Sequence, residues 1–112
     1  MNLNSLQNKI KEFVDERDWD QFHSLKNLSM ALSVESSELL EIFQWAKEDE
    51  ALDSKKKESL QDELADVFYY LLRIADKSGI NLEQALLEKL QKNAAKYPVD
   101  KARGNSRKYT EF

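Results

Sequence analysis

Two glycines and one proline in 112 residues leave few points at which a helix can break. That scarcity limits what the chain can fold into more than any other feature. It favours long helices joined by short connections over many short strands. The length suits one domain, read as a single unit over residues 1–112 with a basic tail over 98–112. Charged residues are 34% and hydrophobic residues 41%, a balance that fits helices with one apolar stripe and charged outer faces. The expected fold class is all-α, a four-helix bundle-like arrangement. A domain this short buries only a modest core, so assembly with further copies is expected before any motif is considered.

Apolar spacing and capping residues place the helices. The first is expected over residues 4–17, with Leu6, Ile10, Phe13 and Val14 as its stripe, and a loop over 18–23 follows. Ser24 is a good N-cap for a second helix running to about Glu48. A polar link over 49–54 leads into a third helix that ends at Ser78-Gly79, where Gly79 suits the left-handed position after a helix. Asn81 caps a fourth helix, with Gln84 at capping-box spacing. That helix must stop near Tyr97, because Pro98 disfavours helix in the residue before it. The tail from Pro98 reads as irregular.

Several chemistries are excluded at once. With no cysteine there is no disulfide, zinc–thiolate site or thiol nucleophile. No Gly-rich phosphate loop is present. The segment over 1–13, with Lys9, Lys11 and Glu12, is no signal peptide, and no stretch is apolar enough to span a bilayer. A cytoplasmic location is expected, with neither a membrane nor a nucleic-acid polymer as partner. The net charge of −4 is uneven. Lys96, Lys101, Arg103, Arg107 and Lys108 stand against Asp100 alone, while the body of the chain is acidic. Such a division suits a metal site with a phosphate clamp, or simply a solvated tail.

The second helix carries an anomaly. Leu28, Leu32, Leu39, Ile42, Phe43 and Ala46 form one stripe, and at about 100° per residue Glu35 falls in its middle. Glu38 lies on the edge and Glu41 well outside. A carboxylate in a core slot is costly unless paired or bound to a metal. On this helix alone, a Lys or Arg across the bundle explains Glu35 as well as a cation does. The third helix shifts the balance. Glu63 and Asp66 stand at i and i+3 beside the apolar and aromatic run over 67–72, with Tyr70 on the face of Asp66. Four converging carboxylates would repel one another without a cation, and oxygen ligands select Mg²⁺, Mn²⁺ or Ca²⁺. A di-iron bundle wants Glu-x-x-His on two helices, and the single histidine, His23, lies in a loop.

Glu35-Ser36-Ser37-Glu38 followed by Glu63-Leu64-Ala65-Asp66 resembles the paired motifs of the MazG-like, all-α nucleoside triphosphate pyrophosphohydrolases. The segment with Arg17, Asp18, Trp19, Phe22, His23, Asn27, Leu28, Phe43, Gln44 and Trp45 looks like the small dCTP pyrophosphatase branch. So does the ending with Lys96, Tyr97, Pro98, Ser106, Arg107, Lys108 and Tyr109. The likeness covers roughly residues 10–112. It implies a helical bundle that forms a dimer or a dimer of dimers, a homotetramer. The implied activity is hydrolysis between the α and β phosphates of a nucleoside triphosphate, with dCTP or a related pyrimidine preferred, in nucleotide-pool housecleaning. Glu35, Glu38, Glu63 and Asp66 become the implied ligands of Mg²⁺, with Mn²⁺ as a substitute, and Glu38 is favoured as the base that takes the proton of the attacking water. Trp19, His23, Trp45 and Tyr70 are implied in gripping the base. Asn93 and Lys96, on one face of the fourth helix, and Lys108 and Tyr109 in the tail are implied in substrate binding. One departure stands out: Val34-Glu35-Ser36-Ser37 replaces the commoner Gly-Glu-x-Gly, so Ser37 can alter helix packing but removes no ligand.

Each residue also has a plainer reading. Trp19 and Trp45 can be packing aromatics, Phe22 and His23 loop anchors, and Tyr70 a core residue bonded to Asp66. Asn93 and Lys96 can be surface residues, and Lys108 and Tyr109 can do no more than dock the tail. The competing function is a non-catalytic helical interaction module whose buried acids are salt-bridged. Glu35 discriminates the two: it faces a metal in the first case and a cationic side chain in the second.

Overall fold

The structure, a computed structural model, describes residues 2–112, and among these there is no strand. The chain forms two compact units, one ending at Ile80 and one over Asn81–Phe112. The first holds α1 (Leu3–Glu16), α2 (Leu25–Glu41) and α3 (Ser54–Ser78). Helix α3 packs chiefly on α2 and to a lesser degree on α1. The second holds α4 (Leu82–Lys96) and a one-turn helix α5 (Val99–Ala102).

Local chemistry sets most helix ends. The Ser24 side chain accepts from the Asn27 N–H, and Asp53 does the same for Lys56 at 2.7 Å. Asn81 accepts from Gln84 N–H, but the Gln84 amide turns forward to Glu88, so only half of the expected capping box forms. At the end of α3, Gly79 takes φ +70° and Ile80 N–H bonds back to the Ala75 carbonyl, the six-to-one closure of a left-handed helix end.

Two expectations are corrected. Helix α2 stops at Glu41 rather than near Glu48. The backbone N–H groups of Ile42, Phe43, Gln44 and Ala46 bond three residues back, to Leu39, Leu40, Glu41 and Phe43, a tighter winding that short segments adopt at helix ends. β-Branched and aromatic residues at 42, 43 and 45 give the α form little intrinsic support there. The tail is also less irregular than expected. It contains α5 and a 3-10 turn over Tyr109–Glu111, and Tyr97 meets Tyr109 and Phe112 edge-on, each with centroids 5.8 Å away.

The core of the first unit is small: Val14, Leu28, Leu72 and Ala75 are buried, together with Arg73. The apolar run of α3 is only partly covered. Val67, Phe68, Tyr69 and Tyr70 are half-buried and Leu71 is exposed. Met30 and Val34 share one face of α2, and Leu64 and Leu71 one face of α3, by their spacing; all four are exposed.

Candidate active site

The loop between α1 and α2 is folded onto itself. Asp18 sits at φ +53°, a left-handed conformation that aspartate tolerates better than most residues. The Gln21 amide clasps both its carbonyl and its carboxylate. A 3-10 turn over Asp20–Phe22 follows. This turn delivers Trp19 and His23 to a cleft of about 540 Å³ lined also by Lys9, Ile10 and Phe13 of α1, Glu35 of α2, and Ala65, Asp66, Tyr69 and Tyr70 of α3. One wall is aromatic: Phe13 meets Trp19 at 5.6 Å and Tyr69 at 6.3 Å, and Tyr69 meets Tyr70 at 4.9 Å, all edge-to-face.

The other wall is acidic. Carboxylate oxygens of Glu35, Glu63 and Asp66 lie within 4.8 Å of one another. Glu35 Oε2 and Glu63 Oε2 are buried and have no hydrogen-bond partner. Burial pushes the Glu35 carboxyl up to about 7, helped by the adjoining carboxylates of Glu63 and Glu38 and then by the charges of Glu38 and Asp66. Among the described residues no Lys or Arg pairs with any of these acids, so Glu35 does not meet a cation across the helix pair. Burying orphaned carboxylate oxygens beside further carboxylates is costly for a protein with nothing to bind there. The donor set, all hard oxygen, fits a divalent cation. Glu38 is exposed and opens, with Glu63, Glu41, Ile42 and Ser59, on a second cleft of about 400 Å³.

Of the residues singled out for substrate, Trp19, His23 and Tyr70 line the cleft with Glu35 and Asp66. Trp45 does not. It is 90% exposed, because α2 ends four residues earlier and the tight turns carry the indole outward. No bond between the Tyr70 hydroxyl and Asp66 forms; burial first, then the charges of Glu35 and Asp66, hold that phenol above its ordinary pKa. Asn93, Lys96, Lys108 and Tyr109 belong to the second unit. There the Lys96 ammonium lies 4.9 Å over the Tyr109 ring, a cation–π contact. The departure at Ser37 is absorbed locally, its hydroxyl bonding the Ser33 carbonyl one turn back.

Sequence reasoning missed Lys9, Tyr69 and Arg73. The last left a signal: a cation inside an otherwise apolar stretch of α3. Its guanidinium is buried and each of its three nitrogens donates one bond, to Asp20, to Asp76 at 3.2 Å and to His23 at 3.1 Å.

An all-helical chain with a carboxylate cluster at the edge of an aromatic cleft is the class of protein that fold and site define. A model of the MazG-like family matches residues 30–112, and the chain belongs to that family. It is 43% identical to dCTP pyrophosphatase 1 of Mus musculus and, also at 43%, to that of Homo sapiens. Each match extends over 105 residues, 90% of this chain and 62% of the relative, so the chain spans somewhat under two thirds of those proteins. Among solved structures it resembles a pyrophosphatase from Archaeoglobus fulgidus, with a TM-score of 0.74 and 38% identity over 85% of this chain and 91% of that one.

Proposed function

We propose that this chain hydrolyses a nucleoside triphosphate between its α and β phosphates, releasing a nucleoside monophosphate and pyrophosphate, with dCTP or a related pyrimidine deoxynucleotide preferred. The observation that carries the reading is the pair of orphaned, buried oxygens on Glu35 and Glu63, within a three-carboxylate cluster beside an aromatic cleft. The names of the relatives support the substrate and the bond cleaved.

Glu35, Glu63 and Asp66, joined by Glu38, would hold Mg²⁺, or Mn²⁺ in its place. When bound, the cation reverses the sign of an acidic site for a triphosphate and supplies Lewis acidity and water activation. The chain's own groups do the rest. Trp19, Phe13 and Tyr69 offer the base an apolar wall, and His23 and Tyr70 offer it polar edges. Glu38, exposed beside the cluster, is open to water and takes the proton of the attacking molecule. For the triphosphate we assign Asn93, Lys96, Lys108 and Tyr109, as cations and donors suited to phosphate oxygens. The exposed apolar faces at Met30, Val34, Leu64 and Leu71 favour a dimer or tetramer, and the cellular role would be clearing unwanted nucleotides.

The interaction-module alternative is disfavoured because, among the described residues, no cationic side chain pairs with Glu35. Purified protein with Mg²⁺ and a panel of canonical and modified NTPs and dNTPs tests the reading. A pyrimidine dNTP should be turned over best; inactivity on the whole panel would return the chain to the interaction-module reading.

A further inference from the structure

The single histidine of this chain is held by a buried arginine from α3. Arg73 is 3% exposed. Its Nε donates to His23 Nδ1 at 3.1 Å, its Nη1 donates to Asp76 at 3.2 Å, and its Nη2 donates to Asp20. Asp20 also accepts from Lys77 at 3.0 Å. A guanidinium is always protonated and only donates. The imidazole nitrogen facing it must therefore carry a lone pair. A ring turned by half a revolution would set a C–H against Nε–H and lose the bond, so the contact fixes both the ring's orientation and its tautomer. The neutral ring then keeps its one proton on Nε2, for which the described residues offer no acceptor. Burial, then the charge of Arg73, hold the imidazole below its ordinary pKa, against the opposing pull of Asp20, in agreement with a neutral ring.

We infer that Arg73 is a positioning residue that locks His23 as the Nε2–H tautomer, so that the cleft presents one fixed hydrogen-bond donor beside Trp19 and Tyr70. A ligand lying on the aromatic wall is then required to offer an acceptor at that point, such as the ring carbonyl of a pyrimidine. A ligand with a donor there meets N–H against N–H and is rejected. Asp20 and Asp76 neutralise the buried guanidinium, and the 3-10 turn that carries Asp20 also ends at His23. One short segment thus supplies both a carboxylate that holds the arginine and the imidazole that the arginine holds. The ligand half of the inference rests on the proposed function; the tautomer half does not.

The single histidine makes the test direct. Long-range ¹H–¹⁵N correlation on the wild-type protein near pH 7.5 should show one neutral His23, protonated at Nε2 and bare at Nδ1, with a slowly exchanging Arg73 Nε–H. An Nδ1-protonated ring, an imidazolium, or a rapidly exchanging Nε–H overturns the inference without any variant having to fold and whatever the enzyme activity proves to be. Arg73→Lys keeps a cation for Asp20 and Asp76 but lacks the Nε donor. Its His23 should show averaged tautomers, and KM for dCTP should rise roughly ten-fold, as for the loss of one well-placed hydrogen bond, with the larger share of the loss in KM rather than kcat. An unchanged tautomer in a folded Arg73→Lys overturns the locking. A changed tautomer with an unchanged KM overturns the donor's role toward the ligand.

Discussion

Glu35 of α2 and Glu63 of α3 meet in the first unit, each burying one carboxylate oxygen that no hydrogen-bond partner reaches. Asp66, one turn beyond Glu63, brings a third oxygen within 4.8 Å. Like charges this close repel one another, a cost that a bound cation would relieve.

The first prediction follows from the sign of that cost. The Glu35 carboxyl is raised from 4.5 to about 7, so the folded protein holds the proton that the unfolded chain has released. The associated stability is fully present below the unfolded value and is lost as pH rises through the folded one. In EDTA, the stability of the wild type relative to Glu35→Gln should fall between roughly pH 5 and pH 8. Glu35→Gln should flatten the pH profile and be the more stable protein at pH 8, by on the order of 3 kcal/mol at most. His23, held below its ordinary pKa, acts in the opposite sense over part of this window, so the difference between the two profiles is the test: the same pH dependence in wild type and Glu35→Gln would contradict the assignment.

Divalent cation should reverse the penalty. Mg²⁺ or Mn²⁺ at a concentration 100-fold above its dissociation constant should stabilise the wild type by about 2.7 kcal/mol. Glu35→Gln and Asp66→Asn, each lacking one anionic ligand, should show a much smaller shift and no turnover, with unchanged helical circular dichroism. Equal stabilisation of wild type and both variants would place the cation elsewhere.

The two tryptophans should now separate. Trp19 lines the cleft, in edge contact with Phe13, whereas Trp45 is 90% exposed. Trp19→Ala should raise KM about ten-fold or more, given roughly 1–3 kcal/mol per stacked base, and leave Mg²⁺ stabilisation intact. In a preparation held as monomer, Trp45→Ala should leave nucleotide affinity unchanged. A loss for Trp45→Ala alone would mean that the base sits outside the cleft.

Much of this was legible in the sequence because helix ends are local. Ser24, Asn81 and Gly79 act through bonds spanning three to five residues, and each lies where its chemistry placed it. The approach of Glu35 to Glu63 and Asp66 was legible in part, because helical spacing put Glu35 in an apolar stripe and Glu63 and Asp66 on one face. The end of α2 was not, since no glycine, proline or cap marks Glu41. The α1 wall of the cleft and the Arg73–His23 contact, 50 residues apart in sequence, depend on how three helices pack, which no local pattern encodes.

The tail offers a prediction within the second unit. Tyr97 lies against both Tyr109 and Phe112, and Arg107 lies over the Phe112 ring at 5.8 Å. Such contacts order the segment without a ligand. Tyr109→Ala should speed amide exchange over residues 105–112, as in a local opening, while α4 stays protected. Equal exchange in both proteins would show that these rings do not hold the tail.

The central claim is that the carboxylate cluster drives cleavage between the α and β phosphates. Incubating wild type with dCTP and Mg²⁺, and assaying dCMP, pyrophosphate and orthophosphate together, tests it most directly. The account predicts dCMP and pyrophosphate in equal amounts, no primary orthophosphate, and no turnover in excess EDTA or with Glu35→Gln. Orthophosphate with dCDP as first products, or full activity in either control, would contradict it.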